Sequence, residues 1–220
     1  MIIYLFFWPL LYNIFNRYIS NKYINNIDLD PIVSNLVSFI HASTTCFLSC
    51  LLLLTQDQWR WDDGFTPIQK QIITFSQSYF IYDLIYMFMY SYSSTFVLQH
   101  IFVLLAYYIS LTYNYGSKSV FCTIFIGEIT NPLQITYFIS KYLKLEKINA
   151  YFLPIFSFNF LIFRNIIFPI SFCVMYYQMI NDNFQPVPYF SLMILHLAGI
   201  FGGILWSKKL IRIIKSKFID

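Results

Sequence analysis

The sequence predicts an all-α protein, a polytopic bundle of six to seven transmembrane helices. Hydrophobic residues occupy 58% of the 220 positions and charged residues only 11%, whereas an ordinary soluble domain has about 25% charged residues. The mean hydropathy of +0.60 agrees with this low charge. Apolar runs of about the 17–25 residues that cross a hydrocarbon core as a helix follow one another along the chain. A soluble globular domain is therefore excluded.

The predicted helices follow these apolar runs, which end at charges or at Pro, Gly and Asn. A continuous apolar run of this length is helical in lipid, because a helix satisfies its own backbone hydrogen bonds. The six runs of spanning length are 32–54, 72–90, 96–113, 119–139, 151–178 and 189–206. Pro132 predicts a kink in its helix, and Pro169 predicts a bend in the next one.

The first apolar run, at 1–15, is shorter than the others. It has three interpretations: a short span, an interfacial anchor, or the remains of a signal segment. It lacks a basic stretch at its start and a small-residue cleavage site, so we favour an uncleaved first helix. We divide the chain into an N-terminal hydrophobic segment with a cytosolic linker at 1–31, a transmembrane domain at 32–207 and a basic cytosolic tail at 208–220.

The distribution of Lys and Arg predicts the orientation. Ten of the fourteen basic residues fall into three segments on one predicted side of the membrane, and such an excess marks the cytosolic side. We therefore expect a cytosolic C-terminus. The ten residues are Arg17, Lys22, Lys141, Lys144, Lys147, Lys208, Lys209, Arg212, Lys215 and Lys217.

Ionisable side chains inside the apolar runs are the functional candidates, because a charge at a helix centre costs about 2.5–3.5 kcal/mol or more. Almost every run contributes one, so we expect them to meet in the bundle interior, with Arg164 paired to Glu128 or Asp83. Two interpretations stay open: contacts that only fix helix packing, or a polar pocket for a lipid headgroup or acyl transfer. The ionisable residues are His41, Asp83, His100, Glu128, Arg164 and His196.

Helical spacing supports a polar interior. Ser76, Tyr79, Asp83 and Tyr86 recur on one face of their helix. The predicted pocket consists of His41, Tyr79, Asp83, Gln99, His100, Glu128, Asn131 and Arg164.

Catalysis in such a pocket would use His100, Glu128 and Asp83. A histidine can shuttle protons or attack an acyl group, and a carboxylate can orient it. Cys46 and Cys50 share a helical face, but a free cysteine in an apolar run behaves as a small buried hydrophobe, so we interpret them as packing residues. We expect no metal and no cofactor, apart from acyl-CoA as co-substrate if the protein is an acyltransferase.

Five short motifs follow one another between about residues 33 and 210. They are Ser-Phe-Ile-His at 38–41, Ser-Tyr-Phe-Ile-Tyr-Asp-Leu at 78–84, Gln-His at 99–100 followed by Tyr-Tyr at 107–108, Glu-Ile-Thr-Asn-Pro at 128–132, and Asn-Phe-Leu-Ile-Phe-Arg at 159–164. In this order they resemble the TLC-domain family, which includes translocating-chain-associating proteins, longevity-assurance ceramide synthases and lipid-homeostasis proteins.

The resemblance implies an endomembrane protein, of the endoplasmic reticulum, that acts in sphingolipid or phospholipid homeostasis by binding or sensing lipid. Alternatives are a ceramide-synthase-like N-acyltransferase, using acyl-CoA and a sphingoid base, and a transporter or cargo receptor. The synthases carry a His-His pair and an Asp pair. Here Gln99 replaces the first His and the Glu128 segment has no Asp pair, so the chain is more similar to the small non-synthase members.

The expected partner is membrane lipid. No nucleic acid is expected, because the basic residues form no aromatic-interleaved groove. Homo-oligomerisation and association with other membrane proteins stay open, as does the question of whether the protein is an enzyme.

Overall fold

The structure is a computed structural model that describes residues 2–20, 29–56, 58–90, 94–182 and 184–218. All regular structure in these ranges is helical, which confirms the prediction of an all-α bundle. Lys22, with most of the predicted linker, lies outside the described residues, as does the side chain of Lys217. The helices are α1 (Ile2–Ser20), α2 (Asp30–Thr55), α3 (Pro67–Met89), α4 (Ser94–Tyr113), α5 (Ser117–Glu128), α6 (Asn131–Tyr142), α7 (Glu146–Ile162), a π-helical turn (Phe163–Ile167), α8 (Phe168–Asn181) and α9 (Pro186–Phe218).

Local chemistry explains where α3 begins. The Thr66 hydroxyl accepts a hydrogen bond from the backbone N–H of Gln69, and the Gln69 side chain accepts one from the backbone N–H of Thr66. This reciprocal capping satisfies two donors that a helix start leaves unpaired. Pro67 follows in the first turn, where the missing N–H of proline carries no penalty.

Two prolines mark irregular backbone, as the sequence predicts. The run at 119–139 forms α5 and α6, which are separated at Ile129 and Thr130 just before Pro132. The run at 151–178 stays helical, but a π-helical turn precedes Pro169, and the N–H of Phe168 bonds to the carbonyl of Phe163. Because Pro169 has no N–H, the ordinary hydrogen-bond ladder cannot continue through it.

Four helices in the described residues are long and apolar enough to cross a membrane: Asp30–Thr55, Ser94–Tyr113, Glu146–Asn181 and Pro186–Ser216. They expose large apolar side chains such as Phe47, Ile170 and Phe201. Contiguous apolar surface of this kind suits lipid rather than water. These observations make the chain an integral membrane protein.

The bundle has two ends, which we name the loop face and the tail face. At the loop face the α2–α3 connection contacts the α4–α5 and α8–α9 connections. The N–H of Ser117 donates to the carbonyl of Asp63 at 2.8 Å, and the Arg60 guanidinium lies 3.5 Å from the Asp182 carboxylate. The tail face is the opposite end, where α2 begins and where α3, α6 and α9 end.

The predicted first helix is present as α1 and packs against α2 and α3. Its Trp8 side chain is fully buried, and the indole N–H donates to the Ser78 hydroxyl at 2.9 Å. The indole also contacts the rings of Phe75 and Tyr79. The bundle interior therefore includes a residue from the N-terminal segment.

We predict that Trp8→Ala destabilises the detergent-solubilised protein by about 3–5 kcal/mol, because it removes a buried aromatic side chain and leaves a cavity. Thermal unfolding measures the effect. The matched control is Phe6→Ala on the same helix, since Phe6 is 72% exposed. Equal unfolding temperatures for the two variants would show that α1 does not pack on the bundle.

Candidate functional site

Six polar residues from α2, α3 and α4 lie together in the bundle interior. All six are buried, although the helices around them face lipid. We call this set the polar cluster; its members are His41, Ser76, Tyr79, Asp83, His100 and Tyr107.

A chain of hydrogen bonds joins the three helices through His41. Its Nε2 lies 2.9 Å from the hydroxyl of Ser76, which lies 3.1 Å from the hydroxyl of Tyr107. The imidazole stacks on the Tyr79 ring, with centroids 3.8 Å apart and ring planes 11° apart. The Tyr79 hydroxyl donates to Ser38 on α2. The His41 ring is thus fixed in both position and orientation.

The second imidazole, His100, contacts an acid. Its Nε2 lies 2.8 Å from Oδ2 of Asp83, and its Nδ1 lies 3.0 Å from the backbone carbonyl of Phe96. A carbonyl can only accept, so Nδ1 carries a proton. The Nε2 contact therefore needs one further proton, held either by the imidazole or by Asp83. The pair shares a single exchangeable proton and keeps zero net charge.

The Phe80 ring separates the two imidazoles. Its centroid lies 5.2 Å from that of His41 and 4.9 Å from that of His100, edge-on in both cases. Both imidazoles therefore contact the same aromatic ring.

A second polar group, which we name the Arg164 site, lies where α5 ends. It consists of Gly127, Glu128, Asn131 and Arg164. The Arg164 guanidinium donates from Nη2 to the Gly127 carbonyl at 2.6 Å, and the Asn131 amide donates to Oε2 of Glu128 at 2.7 Å. The Glu128 side chain is itself buried.

The predicted ion pair of Arg164 with Glu128 or Asp83 is wrong. No carboxylate oxygen in the described residues lies within 4.0 Å of Arg164. Instead Arg164 binds one of the last carbonyls of α5, which have no partner within their own helix. Asp83 pairs with His100. The prediction rested on opposite charges alone. It did not consider that the carbonyls at a helix end compete with carboxylates for the guanidinium.

The placement of Gln99 in the pocket is also wrong. Its side chain is exposed on α4, whereas that of His100 is buried. Successive residues of an α-helix point about 100° apart, so the inward direction of His100 turns Gln99 towards the lipid. The other seven predicted pocket residues belong to the polar cluster or the Arg164 site.

The third buried histidine, His196, lies elsewhere, between α5, α8 and α9. Its Nε2 lies 3.0 Å from the hydroxyl of Thr123, which donates its own proton to the Ser119 carbonyl. Its Nδ1 lies 2.7 Å from the hydroxyl of Tyr176. Since Thr123 can then only accept, Nε2–H donates and Nδ1 accepts from Tyr176. With both nitrogens satisfied and no acid bonded to it, His196 is a packing residue.

Sequence reasoning missed several contributors to these sites. Tyr107 completes the His41 chain, and Gly127 supplies the carbonyl that binds Arg164. Ser76 was placed on the polar face of its helix but not in the predicted pocket. The buried helical face through Ser76 was a usable signal. Nothing in the sequence singled out a backbone carbonyl, because every residue has one.

The polar cluster lies towards the tail face. His41, Tyr79, Asp83 and His100 are 12–16 residues from the loop-face ends of their helices. At about 1.5 Å per residue, this places them roughly 18–24 Å from the loop face. A hydrocarbon core is about 30 Å thick, so the cluster is in the tail-side half.

A comparison with protein families shows to which family the chain belongs. The family model of the TLC domain matches residues 32–212. The chain belongs to the TLC-domain family. No curated protein and no solved structure matches it. The polar cluster and the Arg164 site lie entirely within the matched range.

The two groups contain hydrogen-bond donors and acceptors, a shared proton and a guanidinium. They offer no metal site: the described residues contain no group of three or more His, Cys, Asp or Glu that could hold one.

We predict that Asp83→Leu destabilises the protein, because His100 loses its partner and a buried polar group without a partner costs about 1–3 kcal/mol. Adding His100→Phe should recover part of the loss, since neither partner is then unpaired. Unfolding of the two single variants and the double variant measures the coupling energy. Additive effects would contradict the pairing.

Proposed function

We propose that this TLC-domain protein acts in endomembrane lipid homeostasis by binding membrane lipid through the polar cluster. The hydrogen bond between Asp83 and His100 supports this proposal most strongly. Burying an acid, two imidazoles and several hydroxyls inside a lipid-embedded bundle is costly, and intramembrane ionisable residues usually serve a function. In this proposal a lipid headgroup is drawn from the tail-side leaflet into the bundle and is the polar ligand of these groups.

The stacked rings of His41 and Tyr79 give the proposed site a fixed wall. The Asp83–His100 pair gives it one proton that either partner can hold. Because the pair shares one proton, it can present a negative carboxylate or a neutral acid to a ligand. A headgroup amine or hydroxyl suits the first form, and a phosphate or carbonyl oxygen suits the second.

The proposed location is the endoplasmic reticulum, with the tail face towards the cytosol. The orientation is supported by the exposed Lys141, Lys144, Lys208 and Lys209 at the tail face. At the loop face, Arg60 is engaged with Asp62 and Asp182 instead. An excess of basic residues flanking membrane helices favours the cytosolic side.

We predict that His100→Ala lowers the amount of the preferred lipid that copurifies with the protein by about tenfold. It removes at least one hydrogen bond to a polar headgroup in low dielectric. Mass spectrometry of lipid retained after purification from nanodiscs of mixed composition measures the change.

The matched control is Gln99→Ala, the neighbouring residue whose side chain faces outward. It should leave the lipid profile unchanged. An identical profile for wild type and His100→Ala would count against a headgroup site in the polar cluster. So would an equal loss in both variants.

A second candidate function is N-acyl transfer, and the same Asp83–His100 pair favours it. In this reaction the amine nitrogen of a sphingoid base attacks the thioester carbonyl of acyl-CoA. An amide C–N bond forms and the C–S bond breaks. The amine proton passes through the Asp83–His100 pair to the departing thiolate. An imidazole whose proton is shared with a carboxylate is suited to such a transfer.

If the protein is an acyltransferase, purified wild type incubated with acyl-CoA and a sphingoid base will form ceramide. His100→Ala should reduce the rate by about 100-fold or more, the usual contribution of a general acid–base group. Gln99→Ala should retain full activity. Ceramide formation that is absent in wild type, or equal in wild type and His100→Ala, excludes this function.

A further inference from the structure

A polar cavity of about 480 Å³ opens at the loop face, and we call it the loop-face cavity. Its volume falls within the range of about 300–1,000 Å³ that small-molecule sites have. It lies between the end of α2 and the start of α3, so one short connection brings its lining residues together. The polar and aromatic side chains that line it are those of Gln56, Gln58, Trp59, Asp63, Thr66 and Gln69.

Hydrogen bonds fix the buried side chains of this cavity. The Gln69 carbonyl oxygen accepts from the backbone N–H of Thr66 at 2.8 Å, and the Gln69 amide donates to Oε1 of Gln56 at 3.1 Å. The Trp59 indole is buried as well and donates to the Ser117 hydroxyl at 2.8 Å. Because these side chains are already ordered, a ligand binds without the cost of ordering them.

Other polar groups of the lining are left for a ligand. The carbonyl of Gln56 is engaged with Gln69, but no described residue accepts from its amide N–H groups. The Gln58 amide is exposed and has no partner among the described residues either. Oδ2 of Asp63 accepts from the backbone N–H of Arg60 at 2.9 Å, which leaves Oδ1 to accept from elsewhere. Donors from two amides and a carboxylate acceptor therefore line one cavity.

The charge of the lining indicates the class of ligand. Asp63 is its one charged residue in the described part of the chain, so a phosphate would meet a carboxylate and no cation. A quaternary ammonium has no donor or acceptor for the two amides. Amides and carboxylates each bond neighbouring hydroxyls, and an indole adds an apolar surface for the C–H groups of a ring. A neutral sugar ring uses all of these groups.

The cavity lies at the level of lipid headgroups. The helix Asp30–Thr55, which is long and apolar enough to span the membrane, ends one residue before Gln56. Leu54 in the last turn of α2 and Ile68 in the first turn of α3 are 74% and 65% exposed. Exposed apolar side chains of this kind suit acyl chains rather than water. A lipid of the loop-side leaflet can therefore place its headgroup at the cavity.

We propose that the loop-face cavity binds the neutral sugar headgroup of a glycolipid in the loop-side leaflet. Gln56 and Gln58 donate to the sugar hydroxyls, and Oδ1 of Asp63 accepts from one of them. This site goes beyond the proposed function, because the polar cluster lies roughly 18–24 Å from the loop face. The two sites share no residue and can fail separately.

The test uses nanodiscs that contain equal amounts of monogalactosyl diacylglycerol and phosphatidylcholine with the same acyl chains. Mass spectrometry measures the lipid retained by the full-length protein, and wild type should prefer the galactolipid. Asp63→Asn replaces the accepting oxygen by an amide and should reduce this preference about tenfold, the size expected when a charge-assisted hydrogen bond is lost. The control Asp182→Asn, at the same face but outside the cavity, should keep the preference.

A second variant removes a donor without removing a hydrogen bond between described residues. Gln58 is exposed, so Gln58→Ala should fold, and it should reduce the preference about threefold to tenfold. Its control is Gln71→Ala, an exposed glutamine of α3 outside the cavity. Wild type without a preference for the galactolipid, or a preference unchanged in both Asp63→Asn and Gln58→Ala, overturns the proposal.

Two other results would assign the cavity to a different ligand and also overturn the proposal. One is stabilisation of wild type by methyl β-galactoside in lipid-free detergent without any galactolipid preference in nanodiscs, which indicates a free sugar. The other is a preference for phosphatidylcholine that Asp63→Asn abolishes, which indicates a cationic headgroup.

His100→Ala separates this site from the polar cluster. It should keep the galactolipid preference, whether or not the polar cluster binds lipid. If His100→Ala loses that preference and Asp63→Asn keeps it, the sugar is bound at the polar cluster and the loop-face site is wrong.

Discussion

The hydrogen bond between Asp83 and His100 constrains the rest of the interior. A lone carboxylate in the tail-side half of a membrane bundle is strongly unfavourable, and a partner that shares its proton removes the net charge. That partner must come from another helix, so α3 and α4 are held in one register. The Phe80 ring then fits edge-on between His100 and His41. The position of His41 in turn orders Ser76 and Tyr107. The packing of α2, α3 and α4 and the polar cluster thus both depend on the hydrogen bond between Asp83 and His100.

The backbone departs from regular α-helix at two places in the Arg164 site. The break before Pro132 ends α5 at Glu128 and leaves the Gly127 carbonyl for Arg164. The π turn before Pro169 carries Arg164 itself. Backbone that departs from the α-helix at membrane depth is tolerated where it is buried in protein or lines a cavity. A helix C-terminus also attracts a cation because of its partial negative charge. The two prolines and the arginine therefore form one structural unit.

The sequence predicted those features that depend on local chemistry. Helix class followed from the length of the apolar runs, and the break near Pro132 followed from a missing N–H. The spacing of Ser76, Tyr79, Asp83 and Tyr86 correctly identified the buried face of α3. Features that depend on partners distant in sequence could not be predicted from the sequence. The Arg164 acceptor is a backbone carbonyl, which sequence cannot distinguish from any other. The orientation of Gln99 depended on which of two neighbours on α4 faces inward, and both residues are polar.

Electron cryomicroscopy can determine the structure of the protein in lipid nanodiscs, with a rigid binding partner as a fiducial. Such a structure tests directly whether the polar cluster binds a lipid headgroup. The expected result is headgroup density in contact with His41, Asp83 or His100, continuous with an acyl chain that leaves between the helices. A bundle whose interior is closed by its own side chains, with lipid density confined to the outer surface, would contradict it.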